Sequence, residues 1–341
     1  LTAATGIRGT GAADTNENRL EVAAGSDVTA SVTGTGPIRL GSSGAVTLTS
    51  ATTNSGNIDV SAGGQLVATS VSAGGVGSNV NLATSSGGIE ATSVTAANDA
   101  TLTATTGHIH IGAVTATTGG ITITAHSGSI LDQQDDSLAD LAAGTTLTLT
   151  ASGSIGGSSP AGTTTDPAGK LELAAGSDVT ARSTSSGNVV LQGSGDLTLT
   201  DVTTTAGNID VMSAGQLMAL DVTAGGAGSN VNLMASNGGM MATSVMAAND
   251  VTLNAVAGDV SVGLVTATAG NISITADSGA IVDKTDDAVA DLVASSGTIT
   301  LTAATGIRGT GAADTNENRL EVAAGSDVTA SVTGTGPIRL G

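Results

Sequence analysis

A short motif restarts along this chain at Pro37, Asn57, Asn79, Asp99, Gly120, Thr146, Lys170 and Asn188, at intervals of 20, 22, 20, 21, 26, 24 and 18 residues. A unit of that size is too small to bury an apolar face alone, so it must stack on its neighbours, and a period near 20 residues is one turn of a solenoid. Each unit reads as a polar or turn residue, then apolar, any, apolar, any, small, a Gly-containing turn and a further apolar residue. Asn57-Ile58-Asp59-Val60, followed by Leu66 and Val71, is one example. Within the units the apolar residues alternate, as in Val80/Leu82, Ile109/Ile111, Ile121/Ile123 and Leu147/Leu149, which is the period of a strand and not of a helix. The pattern predicts an all-β parallel β-helix of about 20–22 residues per coil. Val, Ile and Leu form inward ladders, Thr and Ser face water, and Gly and Ala turn the corners. Coil lengths from 18 to 27 residues, the longest from Asn271 to Thr298, do not fit the strict six-residue period of a left-handed β-helix. About sixteen coils are expected in 341 residues.

Two longer repeats overlie the coil. Residues 1–41 recur unchanged as residues 301–341, a shift of 300. Within that unit GNIDVSAGGQL at Gly56 returns as GNIDVMSAGQL at Gly207, and GSNVNL at Gly77 returns at Gly228, both shifted by 151 residues. The expectation is one continuous β-helix shaft over 1–341, built of half-repeats of about 150 residues, with uncapped ends.

Composition removes several functions. The chain has no Phe, Trp, Tyr or Cys, so no ring is present to stack a sugar or a base and no disulfide is possible. A formal net charge of −20 repels nucleic acid and anionic lipid. No apolar run approaches the ~18–20 residues of a membrane helix, so no membrane insertion of this segment is expected. The hydrophobic fraction of 39% still supports a core of small branched side chains. No Gly-rich phosphate cradle is present, and literal repetition is a poor setting for a single catalytic constellation.

The segments GNIDVSAGGQLVATSV, GGITITAHSGSILD, LAAGTTLTLTASGSIGG and RLEVAAGSDVTA together resemble the repeat region of filamentous-haemagglutinin-like adhesins and related giant bacterial surface proteins. The resemblance implies a right-handed parallel β-helix and a shaft exported to the extracellular bacterial cell surface, while the few basic residues, the missing aromatic platform and the literal repetition point to no enzymatic activity. Its partners would be neighbouring copies of the same filament, or a cell-surface receptor or polysaccharide. A self-assembling fibre or sheath component held by lateral contacts is the alternative, and a carbohydrate-active β-helix enzyme is a weaker one.

Departures from the coil rule mark the candidate sites. SILDQQDDSLADLAAG returns as AIVDKTDDAVADLVAS, so Asp132, Asp135, Asp136 and Asp140 match Asp283, Asp286, Asp287 and Asp291. Clustered carboxylates are ligands for calcium, which takes six to eight oxygens, although neither the EF-hand nor the Gly/Asp-rich nonapeptide pattern is present. The competing expectation is a solvated loop with one helical turn, marked by Leu138 and Leu141 and capped by Asp136. No resident cofactor is otherwise called for. His108, His110 and His126 are the only imidazoles, and Asp259, Ser261 and Asp277 stand in their places in the other half-repeat. Thr10–Arg19 and Gly156–Lys170 read as surface knobs. Met212, Met241 and Met246 replace Ser61, Glu90 and Thr95 at outward positions and form a candidate contact surface.

Overall fold

Alternating apolar residues do become strands, and every strand pairing with a defined register is parallel. A computed structural model describes residues 1–10, 18–134, 136, 138–158, 169–285, 289–309, 318–324 and 327–341. The chain is an all-β solenoid of stacked parallel strands, about 12 turns at roughly 21 residues per coil. It divides into two compact units, Leu1–Ser177 and Asp178–Gly341.

In the first unit the short strands Ile38–Ser42, Ile58–Ala62, Val80–Thr84, Ala100–Ala104, Ile121–Ala125 and Thr146–Ala151 form one sheet. Its inward rung runs Ile38, Ile58, Val80, Ala100, Ile121, Leu147, each pairing with the next. Each of these follows a motif start by one residue, so the spacing read from the sequence is the register of the ladder. The other sheet carries the longer strands Val46–Ser55, Ile89–Ala96 and Ile109–Ala116, and split pairs such as Leu66–Ala68 with Val71–Ala73. Its rung runs Val46, Leu66, Ile89, Ile109, Ile130. All these rung residues are buried, and burying each such side chain contributes about 1.5–3 kcal/mol.

The second unit repeats the scheme. One rung runs Val189, Ile209, Val231, Val251, Ile272, Ile299, Val328. The other runs Leu197, Leu217, Met240, Val260, Ile281, Ile307. The identical segments 1–41 and 301–341 make the same pairs, Ile7 with Ile38 and Ile307 with Ile338, Leu20 with Leu40 and Leu320 with Leu340. Ile38 has Ile58 stacked above it and is 0% exposed, whereas Ile338 pairs only with Ile307 and is 46% exposed. Local sequence is the same in both, so the difference in burial comes from the neighbouring coil.

The polar residue that opens each motif has a defined role. Asn57 Oδ1 accepts the Asn79 N–H, Asn79 Oδ1 the Asp99 N–H and Asp99 Oδ1 the Gly120 N–H, each at 2.9 Å. In the second unit Asn188, Asn208, Asn230, Asp250 and Asn271 continue the scheme to Thr298. Where a motif opens on Asn or Asp, that side chain therefore caps a main-chain donor of the coil above, at the corner where the ladder would otherwise leave it unmet. The corners need glycine where the chain doubles back: Gly239 has φ +79°, and a Cβ there would lie 2.6 Å from the Asp259 carbonyl oxygen.

Two sequence expectations change. About twelve turns form where sixteen were expected. The coil start at Lys170 does not extend the Leu147 rung. Its strand, Leu171–Leu173, lies on the other sheet, where Leu173 pairs with Leu141.

Candidate metal centre

Strand alternation places a carboxylate in the core. Ile130 and Asp132 are two residues apart on the strand Ile130–Asp132 and face the same way. Asp132 thus continues an inward line running Leu48, Ala68, Ala91, Ile111, Asp132, and it is only 2% exposed. Its Oδ1 accepts the Gln134 N–H at 2.8 Å, which turns the chain out of the strand. The chain returns at Asp140, whose carbonyl accepts the Val114 N–H and whose N–H donates to the Glu172 carbonyl, one coil on either side. Asp140 Oδ2 accepts the Glu172 N–H at 2.9 Å. One carboxylate oxygen each from Asp132, Asp140 and Glu172 lie within 4.8 Å of one another, and all three residues are buried.

The second unit builds the same triad from Asp283, Asp291 and Glu321, again within 4.8 Å and buried. Asp283 ends the inward line Ala219, Ala242, Val262, Asp283. The Thr285 N–H donates to its Oδ1 at 2.8 Å, Asp291 N–H to the Glu321 carbonyl at 3.0 Å, and Glu321 N–H to Asp291 Oδ2 at 3.2 Å. Asp283 is 0% exposed and its Oδ2 accepts no hydrogen bond among the described residues. The adjacent Lys284 does not pair with it, because its ammonium donates to Thr243 Oγ1 at 3.0 Å.

Burial pushes the Asp140 carboxyl up to about 9, against the Glu172 N–H that favours its ionised form, and the Asp132 and Glu172 carboxyls push it further in the same direction. Three carboxyls in so small a dry space need either a shared proton or a cation.

The sequence candidates divide accordingly. Asp132, Asp140, Asp283 and Asp291 come together in pairs, each joined by a glutamate that sequence reasoning missed. Asp135, Asp286 and Asp287 lie outside the described residues. Asp136 is exposed and outside the triad, with its Oδ1 accepting the Leu138 N–H at 2.6 Å. The helical turn it was expected to cap is not present among the described residues of 133–140. Leu141 is instead a strand residue paired with Val114 and 0% exposed, while Leu138 is 73% exposed. Nor are the acidic residues all solvated, since the alternation carries Asp132 inward.

The other candidates do not converge on these triads. His108 and His110 rings are 6.2 Å apart edge to face, and His108 Nδ1 accepts the Ser129 N–H at 3.1 Å. Burial, then the His108 charge, lowers the His110 pKa, with Glu90 opposing. Met212 does not share a sheet with Met241 and Met246. It stacks on Met234, whereas Met241 stacks on Met218, and Met246 lies between Thr223 and Thr266. Of the expected knobs, residues 11–17 and 159–168 lie outside the described residues. Arg19 closes the first by a two-pronged pair with Asp59, both contacts 2.8 Å.

Stacked coils and axial side-chain ladders define the class of this molecule as a parallel β-solenoid of tandem repeats. No protein-family model, curated protein or solved structure matches the chain.

Proposed function

We propose that the chain is a segment of a non-catalytic structural and adhesive shaft, part of a filament on the extracellular bacterial cell surface. The observation that carries this reading is the axial ladder. Asn188, Asn208, Asn230, Asp250 and Asn271 each commit a side-chain oxygen to the coil above. Repeated polar groups thus join coil to coil and do not converge on a substrate. Literal recurrence of residues 1–41 at 301–341 supports the same reading, because a shaft gains length from copies whereas a catalytic site gains nothing.

Lateral self-assembly is the second reading, favoured by Met246 and Leu264, which are 42% and 45% exposed on one sheet. Beads coated with the 341-residue protein, applied to epithelial cells and immobilised polysaccharides, separate the readings when paired with sedimentation velocity. Retention by cells from a monomeric protein supports an adhesive shaft. Concentration-dependent association that weakens when Met241 and Met246 are changed to Ser supports a fibre. Release of reducing sugar from a polysaccharide sinks the non-catalytic assignment.

A further inference from the structure

We propose that each carboxylate triad, Asp132–Asp140–Glu172 and Asp283–Asp291–Glu321, binds one calcium ion that fastens two successive coils. This is independent of the shaft reading and stands or falls separately from it.

The decisive side chain is Asp283. It is 0% exposed, ends a line of Ala and Val, and has one oxygen that accepts no hydrogen bond among the described residues, while the other takes the Thr285 N–H. A carboxylate in that position is costly unless something positive meets its free oxygen. The oxygens of Asp291 and Glu321 within 4.8 Å of it supply the rest of a cation site. Calcium takes six to eight oxygens at about 2.3–2.6 Å in a flexible geometry, which suits three carboxylates of a buried site, whereas magnesium demands near-ideal octahedral geometry and keeps several of its waters. The donors are all hard oxygens, which does not suit zinc, whose protein ligands are chiefly His and Cys. Water completes a coordination shell of six to eight.

The second triad lies beside a depression. Asp291 lines a surface depression of about 220 Å³ together with Thr243, Leu264, Lys284 and Thr285. Comparison of the half-repeats points the same way. Gln133 is replaced by Lys284, Leu138 by Val289 and Ala142 by Val293, yet all three carboxylates keep their places. The ion's role follows from chain connectivity. Asp132 and Asp140 flank residues 133–139 within one coil, and Glu172 lies on a strand of the next. One ion therefore closes the excursion and joins the two coils.

Isothermal titration of the EDTA-stripped 341-residue protein with calcium chloride tests this, with magnesium chloride as the control for general screening. The expected result is two calcium ions per chain, one after Asp283→Asn, and two after Asp136→Asn, which alters an exposed carboxylate outside the triad. The thermal midpoint rises with calcium more than with magnesium at equal concentration. A triad that holds a proton gives no saturable heat and the same midpoint in EDTA and calcium, which overturns the proposal. So does a folded Asp283→Asn chain that still binds two ions. Should that variant fail to give the native circular-dichroism spectrum, the wild-type stoichiometry decides alone, and any value other than two overturns the proposal.

Discussion

Changing Asn230 to Ala isolates the worth of one rung of the corner ladder. Asn230 Oδ1 accepts the Asp250 N–H at 3.0 Å and one N–H of the Asn249 side chain at 2.9 Å. Alanine removes the one acceptor of both bonds. Asn249 keeps its bond to Asp250 Oδ2 at 3.1 Å, so its loss is partial, while the Asp250 N–H is left without a partner. A net hydrogen bond contributes about 0.5–1.5 kcal/mol and an unmet donor, here half-buried, up to about 3 kcal/mol, so the expected destabilisation is about 2 kcal/mol. That corresponds to a roughly thirty-fold change in a local opening equilibrium. With no aromatic residue in the chain, fluorescence cannot report it. Amide hydrogen exchange read by mass spectrometry can, and protection of peptides containing Asp250 should fall about thirty-fold, with distant coils little affected. Asn230→Asp keeps an acceptor oxygen, as Asp99 and Asp250 do at their own rungs, and should exchange nearly as wild type. Unchanged protection in the alanine variant, or an equal loss in both variants, would refute the ladder as a source of stability.

Three further outcomes follow from the same geometry. Leu233 is 0% exposed between Val211 and Leu253, and Leu233→Ala should cost about 2–5 kcal/mol, read as a lower urea midpoint by circular dichroism. The folded state holds the His110 pKa below its ordinary value of 6.5, so the unfolded chain takes up a proton that the folded chain resists. Stability should therefore drop as pH falls through that value, and His110→Gln should flatten this part of the pH profile. A fusion that continues the chain after Gly341 with a second copy of residues 42–177 should cover Ile338 as Ile58 covers Ile38, raising protection of residues 328–341 from exchange.

The ladders were legible because coil register is a property of spacing alone. Each first inward residue, from Ile38 to Leu147, stands one place after a motif start that composition and turn chemistry had marked. Legibility failed where the fold interrupts its own period. Lys170 opens a motif-like LEL strand, yet Leu173 pairs with Leu141, because pairing follows which sheet the chain has reached and not the motif it carries. Glu172 escaped notice for that reason, being 32 residues from the Asp140 it contacts. Asp132 was recoverable, since continuing the alternation from Ile130 already turns it inward. An acidic loop following a strand invites the solvated reading, and only the stacking shows that the strand has not yet ended. The methionines scattered over two sheets for a similar reason: outward-facing is a local inference, whereas which outward face depends on the whole coil.

Pairing each coil only with the coils beside it has a mechanical consequence. Tension between the two ends of a stack loads the outermost coil first, and its release leaves the next ladder intact to bear the force. Each roughly 21-residue coil that peels away pays out about 70 Å of extended chain in exchange for one strand spacing of about 4.8 Å along the stack. Under a pulling cantilever the molecule should therefore yield in regular steps of that contour length, lengthening many-fold before any covalent bond is strained, with the coils that carry Asp132 and Asp283 marking where a calcium-dependent step would appear.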